Sequence, residues 1–250
     1  MNKYNHPGVP YFQHVSEHCI HYMSIDGVIF GFSENQLKVL LLRWKGTDEW
    51  SLPGGFIYKL ESVDAAAGRI VQERTGLNQL YLKQFHVFGD ANRYDQADTW
   101  QRTKMPLEGI KWSERTISIG YYALVNYSKV TPMPDLITDE CRWWNIQDLP
   151  RLLFDHNHII EVALHSLRRE LNEQPLNHLL PDPFTIPELQ RLHECILGTA
   201  LDSRNFYKKM LASGQLERLP ERRSGTSHKA PYLYRFQETQ SGEILPEPGT

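Results

Sequence analysis

Two alternation periods divide this chain. Near its start, "YMSIDGVIFGF" (22–32) and "QLKVLLLRW" (36–44) are β-rich runs separated only by "SEN", a spacing that predicts a hairpin. Between Ser62 and Thr75 the period becomes helical: Val63, Ala66, Ala67, Ile70 and Val71 recur on one face, Ser62 is placed to cap the first turn and Gly76 to stop the last. Strand signals return in "LYLKQFHVF" (80–88), "RTISIGYYALVNY" (115–127) and "ECRWWNI" (140–146), rich in β-branched and aromatic residues. A polar stretch from Gly89 to Glu114 separates the first two. A second helix is predicted in "FDHNHIIEVALHSLRREL" (154–171), with Ile159, Ile160, Ala163, Leu164 and Leu167 on one face. Residues 21–172 therefore read as an α/β (α+β) domain, a mixed sheet with helices packed on it.

Past residue 172 the pattern changes. Residues 173–184 ("EQPLNHLLPDPF") read as a linker stiffened by Pro175, Pro181 and Pro183. "TIPELQRLHECILG" then carries a capping box, Thr185 with Glu188 three residues on, and a buried face of Leu189, Leu192 and Ile196. "DSRNFYKKMLASG" predicts a helix capped by Asp202 or Ser203 and ended by Gly214. Phe206, Tyr207, Met210 and Leu211 lie on its apolar back, and Arg204, Asn205, Lys208 and Lys209 on its basic front. "QLERL" and "PYLYRF" follow as strands around "PERRSGTSHKA", a loop holding Arg222, Arg223 and Lys229. Helix, helix, basic hairpin over 185–236 is the order of a winged helix-turn-helix. In that fold the second helix enters the major groove and the wing meets phosphates.

Charge sharpens this division. The 250 residues carry a net charge of −3, but residues 1–184 hold 18 Lys+Arg against 22 Asp+Glu, whereas 185–236 hold 9 against 5. An acidic body joined to a basic module is the distribution expected when only the module meets a polyanion. Residues 1–20 read as a separate N-terminal segment, and 237–250, rich in Gly, Pro and Glu, as a disordered tail. No apolar run reaches bilayer-crossing length, so a cytoplasmic protein without membrane contact is expected. The 3 cysteines are far apart and suggest reduced thiols. His156 and His158 have no third ligand at suitable spacing, so no metal site is expected there and His156 is read as a hydrogen-bonding residue at a helix start.

"GGFIYKLESVDAAAGRIVQERTGL" (54–77) carries the candidate chemistry. It fits the frame G-x5-E-x7-R-E-U-x-E-E-x-G-U, with Gly55, Glu61, Arg69, Val71, Glu73, Gly76 and Leu77 in register. This resembles the Nudix box, whose helical acids gather oxygens around Mg²⁺ for attack of water on a diphosphate. Two of the three glutamates expected to face the metal are replaced, by Ile70 and Arg74. One offers no oxygen and the other adds a positive charge, which at about 4 Å opposes a cation by roughly 4 kcal/mol per charge pair. The degenerate box predicts no catalysis, no catalytic residues and no cofactor, with Arg69 and Glu73 as a structural ion pair.

Together with the box, "FDHNHII", "FTIPELQRLHECILG", "LDSRNFYKKMLASGQLERL" and "APYLYRF" resemble the Nudix-related transcriptional regulators, over about residues 20–236. The resemblance implies a Nudix-like sensor domain joined to a winged helix. It also implies an effector of ADP-ribose type, as in one branch, or a sugar such as L-arabinose, as in another, so a sugar, sugar phosphate or nucleotide sugar is expected, with double-stranded DNA and a second copy of the chain as partners. The DNA contacts expected are Arg204, Asn205, Lys208, Lys209, Arg222, Arg223 and Lys229. Trp50, Phe56, Lys59, Glu61, Arg93 and Arg115, which flank the box or the following loop, are expected to line the effector cup. The alternative is a hydrolase of ADP-ribose or a related nucleoside diphosphate derivative, with an accessory winged helix.

Overall fold

Strands β1 (Tyr22–Ser33) and β2 (Gln36–Trp44) form the predicted hairpin in the computed structural model, which describes residues 22–76, 81–104, 115–131, 133–134, 137–171, 176–223 and 230–237. Their two-residue turn places both Glu34 (φ 54°) and Asn35 (φ 56°) in the left-handed region, which matches the twist of the paired strands. The strands pair only at the closed end, from Ser33↔Gln36 to Phe30↔Val39. Beyond it they diverge: β3 (Trp50–Ser51) pairs with β2, and β4 (Gly54–Phe56) pairs with β1. Glycine at 54 permits this approach, because a Cβ there would lie 2.8 Å from Asp26 Oδ1. Adding β5 (Leu82–Phe88), β6 (Thr116–Val125) and β7 (Thr138–Asn145) gives a seven-stranded mixed sheet, with β6 parallel to β1.

The pleat sends Ile25, Ile29, Ile119 and Ala123 to one face, covered by α1 (Val63–Thr75). Ser62 caps α1 by accepting from the Ala65 N–H, and Gly76 ends it at φ 68°. The polar stretch after β5 contains a helix, α2 (Gln96–Thr103), whose Arg102 pairs with Glu49 in the β2–β3 turn. Residues 105–114 lie outside the described residues. Val28, Phe30, Leu37, Leu41, Tyr122 and Leu124 face the other side, under α3 (His156–Arg169). Ile159, Ile160, Ala163 and Leu167 of α3 are buried, while Leu164 is only half-buried at the margin of the face.

The second domain comprises α4 (Ile186–Leu197), α5 (Ser203–Ala212), β8 (Leu216–Arg222) and β9 (Tyr232–Phe236), with Phe184 bridged to Tyr234. The capping box is present: the Glu188 carboxylate accepts from the Thr185 N–H at 2.7 Å and the Thr185 hydroxyl accepts from the Glu188 N–H at 3.4 Å. The described part of the linker is packed: Leu176, Leu179, Leu180 and Phe184 are buried in a core shared with α3 and α4. Two expectations need correction. The apolar back of α5 is narrower than its periodicity suggests: Phe206 and Met210 are buried, but Tyr207 and Leu211 are 43% and 42% exposed. Residues 220–222, expected in the wing loop, continue strand β8. Residues 1–20 and the tail from 238 onward lie outside the described residues.

Candidate functional site

A cavity of about 240 Å³ opens where β1 and β2 diverge. Asp26 of β1, Trp44 of β2 and Phe56 of β4 line it, with Arg93 and Tyr94 from the stretch after β5 and Phe154 and His156 at the start of α3. Leu52 fixes His156, its N–H donating to Nδ1 at 2.9 Å, so Nδ1 carries no proton and Nε2–H points at Asp26 Oδ1, 3.5 Å away. Asp26 is 8% exposed and accepts a hydrogen bond from the Ser118 hydroxyl through its other oxygen. Burial opposes its ionisation, but the His156 imidazole, the Ser118 hydroxyl and the Arg93 guanidinium outweigh that and hold its carboxyl below the ordinary value.

Arg93 is consumed by the protein. Its Nε and Nη2 donate to both oxygens of Asp155 at 2.8 Å, and Nη1 donates to the carbonyls of Phe88 and Thr116 at 3.2 and 3.4 Å. Of the six residues expected in the cup, Phe56 and Arg93 line this cavity. Trp50 is instead buried in the core against Trp144, at a ring distance of 5.3 Å. Lys59 is exposed on the loop before α1, and Arg115 is exposed and donates to the Gly89 carbonyl. Glu61 folds back onto the box. Sequence reasoning missed Asp26, Trp44, Tyr94 and Phe154. A carboxylate inside the apolar run "YMSIDGVIF" was the available signal for the first.

The box is organised around Arg69. Glu61 takes its Nε and Nη2 at 3.0 and 2.7 Å, the Phe56 carbonyl accepts from Nη2 at 3.1 Å, and the Tyr58 ring lies 3.9 Å from the guanidinium carbon. Arg69 in turn holds the Glu61 carboxyl below its ordinary value. The predicted Arg69–Glu73 pair is present at 3.5 Å but is the looser of the two. Ile70 is 1% exposed and faces Ile25, Ala66, Ala67, Ile119 and Tyr121, so position 70 points into the core rather than toward a metal. Arg74 is half-buried one turn further along.

On the second domain, Arg204, Asn205, Lys208 and Lys209 are all exposed on α5. Gln190 donates to the Leu201 carbonyl and the Ser203 hydroxyl at 3.0 and 3.1 Å, which fixes the turn that presents α5. In the hairpin, Arg218 and Arg222 stack on Tyr232, each 3.8 Å from the ring centre, and Tyr232 neighbours Tyr234, whose hydroxyl bonds to Tyr207 of α5. Arg218 was not anticipated. Arg223 is paired with the capping-box Glu188 at 2.5 Å, which ties the wing to the start of α4. Lys229 lies outside the described residues.

Two elements connect these regions. The closed end of the β1–β2 hairpin meets α4, where the Cys195 thiol donates to the Asn35 carbonyl at 3.0 Å. Helix α3 begins in the cavity and carries in its last turn Arg168, whose Nε donates to the Ile196 carbonyl of α4 at 2.6 Å. No helix among the described residues is long and apolar enough to cross a membrane.

Comparison with known proteins agrees with this architecture. The NUDIX domain model matches residues 23–173, and the model of the NrtR DNA-binding winged helix domain matches 176–236. An ADPR responsive transcriptional repressor, NtrR, of Acinetobacter baylyi is 28% identical over 222 residues, covering 86% of this chain and 81% of its own. The crystal structure of Shewanella oneidensis NrtR is similar with a TM-score of 0.68 at 26% identity, covering 87% of this chain and 94% of that one. The same protein complexed with a 27mer DNA gives a TM-score of 0.68 at 26% identity, over 86% and 93% of the two chains. A MutT/nudix family protein from Enterococcus faecalis shares the fold, with a TM-score of 0.64 at 21% identity over 91% and 93%. The chain belongs to the NUDIX domain family and joins that domain to an NrtR-type winged helix, the architecture of a DNA-binding transcription regulator.

Proposed function

We propose that the Nudix domain is a sensor of an ADP-ribose-type ligand that changes the affinity of the winged helix for DNA, without hydrolysing the ligand. The observation that carries this reading is the shared span of β1–β2 and α3, each running from the cavity to a hydrogen bond on α4. ADP-ribose is favoured over a free sugar such as L-arabinose because the Acinetobacter baylyi relative is ADPR responsive. A duplex selected from a random library supplies the test: its dissociation constant should change about 5- to 150-fold with ADP-ribose and not with pentoses. A response to L-arabinose alone would return the sugar reading.

Arg204 and Asn205, in the first turn of α5, are the proposed base contacts, with Lys208, Lys209 and Arg222 on phosphates. Arg204→Ala should relax sequence preference at one position at about 1–3 kcal/mol, whereas Lys208→Ala should weaken all sequences alike and lower the salt slope by about one unit. Arg223, bound to Glu188, is better read as holding the wing in place. Unchanged selectivity in Arg204→Ala would remove α5 from the groove.

Catalytic silence is supported by the burial of Ile70 and by Arg69 lying between Glu61 and Glu73. With Mg²⁺, AMP release from ADP-ribose should stay at buffer background. Turnover abolished by Glu73→Gln would instead identify a hydrolase. Ile70→Glu with Arg74→Glu should destabilise the fold by several kcal/mol rather than restore metal binding, because it puts a carboxylate among apolar side chains.

A further inference from the structure

We infer that Leu211, in the last turn of α5, reads the C5 methyl group of a thymine in the major groove and so sets part of the sequence preference of the DNA site. This rests on the reading of α5 as the helix that enters the groove.

The face that α5 turns outward follows from the residues it buries. Phe206 and Met210 are 6% and 7% exposed and mark the inward direction. At about 100° per residue, Lys208 points directly away from them, and Arg204 and Leu211 lie within about 60° of Lys208. All three are exposed, Leu211 at 42%. A helix lying along the major groove presents positions i, i+3, i+4 and i+7 to base edges, and Arg204, Tyr207, Lys208 and Leu211 have that spacing. Tyr207, at the margin of this face, is bonded to Tyr234 of the hairpin. The helix keeps its geometry as far as Leu211, because the Ser213 N–H donates to the Lys209 carbonyl at 3.0 Å and the Ser213 hydroxyl to the Met210 carbonyl at 2.7 Å. Leu211 therefore holds a fixed register with Arg204, about 10 Å further along the axis.

Charge identifies what covers this face. Leu211 shares its helix with Arg204, Lys208 and Lys209, and the hairpin bonded to Tyr207 carries Arg218 and Arg222. An apolar protein partner would strip water from those cations and give nothing in return, whereas duplex DNA supplies phosphates. A leucine has neither donor nor acceptor, so it cannot read the hydrogen-bonding pattern of a base edge. The apolar group that a base pair offers in the major groove is the thymine C5 methyl. An exposed leucine in a cationic, groove-facing stripe is thus matched by thymine.

The test replaces thymines by deoxyuridine, which removes the methyl and leaves every hydrogen-bonding group in place. The full chain without ADP-ribose is titrated with the selected duplex and with duplexes carrying deoxyuridine at one thymine at a time. Wild type should lose about 3- to 5-fold in affinity at a thymine about three base pairs from the position where Arg204→Ala relaxes preference. Leu211→Ala should bind the parent duplex more weakly by about the same factor and show no further loss on that deoxyuridine duplex. Position 211 is exposed and helical, so alanine there keeps the fold. Leu211→Gln, which keeps the length but ends in an amide, should be equally blind to the methyl. The same deoxyuridine penalty in wild type and Leu211→Ala, or no penalty at any thymine in wild type, would overturn the assignment. If Arg204→Ala also leaves preference unchanged, the placement of α5 in the groove falls with it; if Arg204 responds and Leu211 does not, only the thymine contact falls.

Discussion

Arg168→Ala is expected to leave DNA binding and ADP-ribose binding close to wild type when each is measured alone, yet to reduce the effect of one on the other from about 5- to 150-fold to within a few-fold. Helix α3 is 14 residues long, about 21 Å, and rigid along its axis. Its first turn carries His156 into the cavity, and its last turn carries Arg168 to the carbonyl of Ile196. That carbonyl belongs to the last turn of α4, where backbone acceptors lack helical partners and a cation is favoured by the helix dipole. A charge-assisted bond at the surface contributes about 1.5 kcal/mol, comparable to a coupling free energy of about 1–3 kcal/mol, so losing it is enough to disconnect the helix from α4. Arg168→Lys retains a donor and should keep part of the effect. The check is a pair of ligand titrations with and without DNA. If coupling survives in Arg168→Ala, the contact between Asn35 and Cys195 carries it instead.

Arg93→Met should lower stability by about 3–5 kcal/mol, visible as a fall in melting temperature of roughly 10 °C or more. The Arg93 side chain is 6% exposed and lies between two carboxylates, bidentate to Asp155 and 3.9 Å from Asp26. Its removal leaves both acids in a site with little water. Asp26 also sets a response to pH. The Asp26 carboxyl is held below its ordinary value in the folded protein, so the stability it contributes is complete above about pH 4. That stability is lost as pH falls through the lower folded value. Wild type should therefore show an acid limb in its melting temperature below about pH 4, and Asp26→Asn should flatten it. A melting temperature in Arg93→Met within 2–3 °C of wild type would mean that the buried cluster is not a structural element.

The α1 boundaries were legible because they are local: the Ser62 cap, the apolar repeat and Gly76 all lie within one short segment. The same holds for the hairpin and for the capping box at Thr185. The match to the box frame, and its interruption at Ile70 and Arg74, likewise need only spacing. The order of helices and basic strands marked the DNA-binding module before any contact was known. What the chain did not disclose is which of its polar residues meet. Asp26 finds Ser118 across 92 positions and Arg93 finds Asp155 across 62, so the cavity exists only once the sheet has formed and α3 lies across it. Lys59 and Glu61 were plausible cup residues by adjacency, but the cavity lies under the start of α3, while α1 covers the opposite face of the sheet. Arg223 looked like a wing cation until Glu188, 35 residues earlier, became its partner. The sequence by itself determined the elements, their caps and the charge of each module, because those depend on neighbours along the chain. The tertiary structure alone decided which charges pair with one another and which line the cavity or face outward, because electrostatic pairing depends on distance in space.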